Sequence, residues 1–463
     1  MKLDLASIAA ILGGSLTPER ASVVITGVST DSRTIRPGDL FVPLRGPNYD
    51  GHDHIGQAVR GGAAACLSEE VIAGLAVPVV RVGNTMQALG DLAAALRQDF
   101  DGPVVAVTGS SGKTTTKEML AAVLSLTGSG LKTEGNFNNL IGLPLTLFRL
   151  QPEHRWAVLE MGMSARNEIA RLTEIARPDV GIVTNVGPAH LEQLGSIEGV
   201  ARAKGELYAA LPAGGTAIVN TDDPQARQLP VANGVQRLLF GLTGEARVRA
   251  KEIRVDDCGV RFDLILPTGR WPVRLAVPGL HNVYNALAAA AAAHVLKVDG
   301  EAIVRGLEQF RSSPGRMTVT RLPGDILLLE DYYNANPMAM RAALASLADL
   351  PGTGRRLAVL GDMLELGAAA EDLHRQVGEA AAAIVDRLIL LGTLAPSVAA
   401  GARAGGLAAD AVQVVESHEA AADLLQQWLH PGDRVLVKGS RGMTMEKICH
   451  LLRNDGAANS TGH

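Results

Sequence analysis

Five short apolar runs in the last third of the chain constrain the fold more than any other feature. They are ILLLE (326–330), RLAVL (356–360), RLILL (387–391), VQVV (412–415) and RVLVK (434–438). Between them lie longer amphipathic segments: MAMRAALASL, AEDLHRQVGEAAAAI, LAPSVAAGAR and HEAAADLLQQWL, with MTMEKICHLL after the last. Strands this short and this apolar are buried on both faces. Their alternation with helices predicts a doubly wound, Rossmann-like parallel sheet. Ligands of such sheets lie beyond the carboxyl ends of the strands. Polar signatures follow Glu330, Leu360 and Lys438, at those ends.

The 463 residues exceed one core, and at about 100–200 residues per domain they predict three. Asp101-Gly102-Pro103 marks one boundary and Arg311-Ser312-Ser313-Pro314-Gly315-Arg316 the next, the latter a candidate hinge. The expected domains are a small mixed α/β unit (1–98), a central P-loop unit on a parallel sheet (99–312) and the Rossmann-like unit (313–463). In the central unit the runs VVAV, AVLEM, VGIVTN and TAIVN alternate with helical segments, the last being NVYNALAAAAAAHVL.

A net charge of −5 and 3% aromatics provide neither a basic footprint nor stacking platforms, which excludes a general nucleic-acid binder. No run of ~18 apolar residues is present to span a membrane. The start, MKLDLASIAAILGG, carries Asp4 and is too short and helix-patterned for a signal. Cys66, Cys258 and Cys449 lie far apart, without metal or disulfide spacing, and read as buried thiols of a cytoplasmic protein. Nothing marks a symmetric interface, so a monomer is expected. The tail NDGAANSTGH is small and polar and reads as frayed.

Residues 104–116 read VVAVTGSSGKTTT. The pattern G-x-x-x-x-G-K-[ST] fails, because Val107 stands where its first glycine belongs. The physics survives. A buried strand leads into Gly109 and Gly112, which permit close backbone approach, and a helix starts near Thr114 with its free N–H groups facing the loop. Lys113 can reach β/γ phosphates and the Thr114 hydroxyl can ligate Mg²⁺. The alternative is a tight turn with a surface lysine; the order strand, glycine loop, Lys-Thr, helix disfavours it. Glu160, His190 and Lys204 follow later strands or lie on the helix after one, and the carboxylate and the imidazole suit a second divalent ion beside a nucleotide. Taken singly, each also reads as a solvated or capping group, and spacing alone does not bring them together.

Thr108-Gly109-Ser110-Ser111-Gly112-Lys113-Thr114 matches the loop TG-x-x-GKT of the Mur ligases, which this chain resembles. These are ATP-dependent amide-forming enzymes of bacterial peptidoglycan precursor synthesis. EMG (160–162), NVGPAH (185–190), HNVYNA (281–286) and PGRM (314–317) carry the same resemblance. GNFNNLIGLPLTL (135–147), DYYNANPMAM (331–340), VLGDMLELG (359–367) and VKGSRGMTMEKI (437–448) resemble the branch whose acceptor is D-alanyl-D-alanine, as do VSTDSR (28–33) and FVPLRGPNYDGHDHI (41–55). The chain departs from the pattern at Glu330, where the family often has Asp, and at Thr318, where it often has Glu or Gln.

The resemblance implies ATP held by Thr108, Gly109, Ser110, Ser111, Gly112, Lys113, Thr114 and Thr115, with Asn282 at the adenine. It implies Arg316 and Asp331 closing over the γ-phosphate and ribose. One Mg²⁺ is implied at Thr114 and Glu160 and a second at His190, with Lys204 converted by CO₂ to a carbamate. Lys113, Lys204, His190 and Arg316 are the catalytic set. Ser29, Asp31, Ser32 and Arg33 are implied at the uridine nucleotide of UDP-N-acetylmuramoyl-tripeptide, and Asn136, Asn138 and Asn139 along its sugar-peptide path. Asn334, Asn336, Lys438, Ser440 and Arg441 are implied near the dipeptide. Same-fold ligases that add a single amino acid, folylpolyglutamate synthetase included, are disfavoured by GNFNN and DYYNANP. A P-loop switch is disfavoured because no guanine-reading N-K-x-D follows a strand.

Overall fold

The computed structural model describes residues 2–16, 22–72, 74–256 and 259–458. Cys258 lies outside them; Cys66 and Cys449 are buried and unpaired. Residues 459–463 of the polar tail are also outside. The helix Glu446–Ala458 takes in the start of that tail, so the chain there is helical rather than frayed. The buried Ile448, Cys449 and Leu452 dock this helix on the third sheet.

Three main sheets follow one another along the chain, beside two two-stranded ones, giving the three-domain α/β architecture expected. The first is parallel, in the order Gly27–Ser29, Asp39–Phe41, Ala65–Ser68, Val79–Arg81. Helix Thr85–Arg97 packs on it through Leu89 and Leu92. At the end of this helix, buried Arg97 donates to Ala176 O at 2.9 Å and fastens the first unit to the second.

The second sheet has nine strands. Its order is Leu131–Lys132, Ala157–Glu160, Val104–Thr108, Val180–Val183, Thr216–Asn220, Gln236–Gly241, Val248–Asp256, Gly259–Leu266, Gly269–Leu275. Pairing is parallel up to Val248–Asp256 and antiparallel for the last two strands. Those last strands carry no unbroken buried run in their sequence. Gly259–Leu266 alternates between buried and half-exposed residues, as a sheet with one covered face does. The alanine-rich stretch 286–293 lies within helix Leu280–Val295 and is buried throughout. Its small side chains let this helix pack closely on Lys113–Leu124, the helix that begins at the glycine loop.

The third sheet runs Thr318–Leu322, Ile326–Glu330, Arg434–Lys438, Arg356–Gly361, Arg387–Leu391, Val412–Val415. All five apolar runs are parallel strands, and an antiparallel edge strand, Thr318–Leu322, is added. Alternate residues feed two cores. Leu327, Leu329, Leu360 and Leu436 face one set of helices, and Leu328, Val359, Val435 and Val437 the other. That is the doubly wound arrangement.

Helix Gly300–Gln309 presses on Lys113–Leu124 at Gly306, where an added Cβ would collide with the Val123 backbone. Overpacking of this kind costs about 1–3 kcal/mol, against a gain of about 1 kcal/mol for removing a helical glycine. Gly306→Ala is therefore expected to lower the thermal midpoint. Gly56→Ala, where the nearest atom is the mobile tip of Arg60 at 3.6 Å, should not. A Gly306→Ala midpoint at or above the parent's would show that the helix pair yields.

Candidate active site

The strand Val104–Thr108 ends at a loop whose positions are fixed from the neighbouring strand end. Asn185 accepts from Ser110 N at 3.1 Å through its backbone and from Ser111 N at 2.9 Å through its side chain. The Ser110 hydroxyl donates to Gly187 O at 2.9 Å, and Thr184 Oγ1 donates to Ser111 O at 2.6 Å. The Thr108 hydroxyl is buried against Met161 O at 2.8 Å. Gly112 turns the chain into the helix at φ 82, and a Cβ there would strike Asn285 Oδ1. Ser110 and Ser111 thus spend their amides on anchoring. The N–H groups of Gly112, Lys113, Thr114 and Thr115 have no protein acceptor among the described residues. They are the orphan donors of a helix start, and they face a cleft of about 370 Å³.

Lys113 folds back so that Nζ donates to Gly109 O at 2.8 Å. Burial lowers its pKa below the ordinary lysine value; Glu160 opposes that shift and Arg316 adds to it. The buried Thr114 hydroxyl donates to Glu160 Oε2 at 2.8 Å, and Asn138 Nδ2 donates to Oε1 at 2.9 Å. A hydroxyl and a carboxylate oxygen side by side suit a hard divalent cation. Among the described residues no group of three or more His, Cys, Asp or Glu could cage a metal. Thr114 and Glu160 could give such a cation two oxygens, with other positions open to water or phosphate as Mg²⁺ commonly has.

His190 lines the same cleft, in a left-handed backbone conformation. Burial, then the charges of Lys113 and Lys204, lower its pKa, while Glu365 acts in the opposite sense at 2.7 Å from Nδ1. Lys204 is only 1% exposed on helix Ile197–Ala209, and its ammonium has no hydrogen-bond or ion-pair partner among the described residues. Burial, then the Lys113 charge, push its pKa well below the ordinary value. The structure thus brings together Lys113, Glu160, His190 and Lys204, which spacing alone could not.

The third unit supplies the opposite wall. Arg316 lies flat on the Tyr333 ring, 3.8 Å from its centroid. Asp331 accepts from Lys438 Nζ at 2.5 Å and from Met317 N at 3.1 Å. Lys438 also donates to Asn334 O at 2.9 Å. Asn336 caps helix Pro337–Asp349 and donates to Ser110 O at 3.2 Å, across the unit boundary. Asn282 lines the cleft, tied to Pro278 O at 2.7 Å. Beside it His281 has a pKa lowered to about 4, first by burial, with Asp331 opposing and Lys438 assisting.

Other expected residues lie elsewhere. Ser29, Asp31, Ser32 and Arg33 form a turn of the first unit outside the cleft lining, where the Arg33 side chain, at 2.8 Å, holds the Asp31 carboxyl down at about 2. Asn139 lines the cleft while its Oδ1 accepts from Gly142 N at 2.8 Å, and Asn136 is exposed beyond the lining. The Ser440 hydroxyl accepts from Leu364 N at 3.0 Å and donates to Ala335 O at 3.3 Å, bracing a loop. Arg441 pairs with Glu446 at 2.8 Å, outside the lining. Tyr333, His281, Asn185 and Glu365 were not singled out by residue chemistry, although each lies inside a motif that carries the resemblance.

Comparison with known proteins resolves the family. Three family models match in order: "Mur ligase family, catalytic domain" at residues 24–97, "Mur ligase middle domain" at 107–293 and "Mur ligase, glutamate ligase domain" at 315–441. The UDP-N-acetylmuramoyl-tripeptide–D-alanyl-D-alanine ligase of Escherichia coli is 40% identical over 98% of this chain and 99% of its own length. The chain belongs to the Mur ligase family. Among Mur ligase structures, MurF from Acinetobacter baumannii superposes with a TM-score of 0.90 at 34% identity, covering 98% of this chain and 99% of that one. The MurF ligase of Thermotoga maritima, solved in complex with ADP, gives a TM-score of 0.84 at 30% identity, covering 94% and 98%. The cleft described above thus lies between the second and third Mur ligase domains.

Because Gly112 combines a left-handed backbone with contact against Asn285, Gly112→Ala should displace the amides that follow it. Affinity for ADP is expected to fall by at least ~10-fold, the loss of a preorganised anion site, and the strained left-handed backbone should also lower the thermal midpoint. Calorimetric titration reads the first and a melting curve the second; unchanged ADP affinity would contradict the role given to these amides.

Proposed function

We propose that this Mur ligase uses ATP to join D-alanyl-D-alanine to UDP-N-acetylmuramoyl-tripeptide, giving UDP-N-acetylmuramoyl-pentapeptide, ADP and phosphate for peptidoglycan. Relatives of that name match nearly end to end. The observation that carries the reading is the cleft itself: four free amides and Lys113 on one wall, Arg316 on the other, and the Thr114–Glu160 pair between them. We place the enzyme in the cytoplasm as a monomer; no helix among the described residues is long and apolar enough to cross a membrane.

A carboxylate does not condense with an amine near neutral pH, because oxide is a poor leaving group. Transfer of the γ-phosphoryl group to a carboxylate oxygen breaks the β–γ phosphoanhydride and forms an acyl phosphate and ADP. The dipeptide amine then attacks the acyl carbon, the tetrahedral adduct expels phosphate, and the amine proton is lost. The first step brings two anions together. Lys113, the amides of residues 112–115 and Arg316 would offset that repulsion and hold the phosphoryl oxygens in line. Mg²⁺ at Thr114 and Glu160, with a second ion at His190, would supply further charge neutralisation. Asn282 would hold the adenine, and Asp331 the ribose. Ser29, Asp31, Ser32 and Arg33 would hold the uridine nucleotide, with Asn136, Asn138 and Asn139 along the peptide path. Lys438, held near Asn334 by its contacts, would border the dipeptide with Asn336, Ser440 and Arg441.

Lys204 fits conversion to a carbamate. CO₂ reacts only with a neutral amine, and burial favours the neutral form here. The neutral nitrogen attacks carbon, one proton leaves, and an unpartnered neutral amine becomes an anion beside Lys113. Two outcomes are expected in a phosphate-release assay with the UDP-tripeptide. Lys113→Ala should lower dipeptide-dependent release at least ~100-fold, the scale of losing a preorganised charge donor. Lys204→Ala should be slow and partly rescued by short carboxylic acids. Release driven equally well by a single amino acid would overturn the substrate assignment, and full unaided activity of Lys204→Ala would remove the carbamate.

A further inference from the structure

Two non-glycine residues with left-handed backbones meet at the edge of the cleft, one from each side. His190 (φ 54) ends the loop after strand Val180–Val183. Glu365 (φ 63) lies in the third-domain loop between strand Arg356–Gly361 and helix Ala370–Ala382. Glu365 Oε2 is 2.7 Å from His190 Nδ1. The contact is reinforced through the backbone, where Glu192 N donates to Glu365 O at 3.5 Å. Left-handed backbones at ordinary residues persist where surrounding contacts over-determine them, and they cluster at functional sites. Here each is part of the other's surroundings.

The pair is a poor fastener, since the Glu365 side chain is 62% exposed and exposed ion pairs hold little energy. Its consequence is orientation. A neutral imidazole has one N–H. With a carboxylate at Nδ1 the proton resides there, and Nε2 keeps its lone pair for a metal. The ring lines the cleft, whereas Glu365 is not among the cleft-lining residues.

We propose that Glu365 is a positioning residue: carried by the third domain, it holds His190 as the Nδ1–H tautomer with Nε2 presented to the cleft, so that a cation site at His190 is complete only when the third domain is docked. This rests on the reading of His190 as a cation ligand. It assigns a function to a glutamate outside the cleft lining, and it links domain docking to metal loading without a moving lid.

The test compares the full-length enzyme with Glu365→Ala and Glu365→Gln. Long-range ¹H–¹⁵N spectra of the histidine rings, recorded without divalent cations, report the tautomer, with His190 assigned from His190→Gln. The expected result is Nδ1–H in the parent and in Glu365→Gln, whose amide oxygen still accepts, and a shift toward Nε2–H in Glu365→Ala. The Mg²⁺ concentration for half-maximal phosphate release should rise ~10-fold in Glu365→Ala and return close to the parent value in Glu365→Gln. Affinity for the UDP-tripeptide should be unchanged in both. An unaltered tautomer with unaltered Mg²⁺ dependence in Glu365→Ala, or an equal loss of UDP-tripeptide affinity, would overturn the proposal. The two readings fail separately: a parent enzyme without dipeptide-dependent phosphate release sinks the ligase assignment, whereas an active parent matched by Glu365→Ala sinks only the positioning role.

Discussion

Four backbone N–H groups at the start of helix Lys113–Leu124 have no acceptor among the described residues, and the rest of the site is organised around these free donors. Orphan donors at a helix start are tolerable in water but call for an anion once they line a cleft. The preceding two amides are withheld by Asn185, so the loop cannot collapse onto itself. The close packing of Leu280–Val295 and Gly300–Gln309 behind the helix keeps its axis aimed at the cleft. The nine-stranded sheet places Glu160 and the loop bearing His190 on the strands either side of Val104–Thr108, which is why they arrive beside the phosphate loop.

Lys113 and Arg316 face the cleft with Glu160, Lys204 lies within reach of the Lys113 charge, and burial works against both lysine charges. A buried cation without a counter-ion is costly. The molecule reduces that cost by hydrogen-bonding Lys113 to a carbonyl and stacking Arg316 on Tyr333, and by favouring a neutral Lys204. Polyphosphate, a substrate carboxylate and a carbamate are the groups that would neutralise such a site. The third domain meanwhile ties up its own buried lysine, Lys438, with Asp331.

Much of this was legible in the residues. Strands buried on both faces announce themselves as unbroken apolar runs, so the five parallel strands of the third sheet were readable one by one, but its antiparallel edge Thr318–Leu322 was not. The antiparallel end of the second sheet was not, because half-solvated strands alternate and give no run. The phosphate loop was readable from order alone, but which amides it leaves free was not. That depends on Asn185, whose side chain reaches Ser111 across 74 positions of sequence. Lys204, which on a lone helix reads as a solvated charge, is buried because its helix packs against the central sheet. The His190–Glu365 contact joins residues 175 positions apart, and an exposed glutamate carries no local mark of such a partner.

The central claim is that phosphoryl transfer to a carboxylate precedes amide formation in this cleft. Isotope transfer tests it most directly. With the terminal carboxylate of the UDP-tripeptide labelled with ¹⁸O on both oxygens, one complete turnover should deliver one labelled oxygen to the released phosphate and leave the other in the new amide. Phosphate released without label, alongside amide product, would contradict the account.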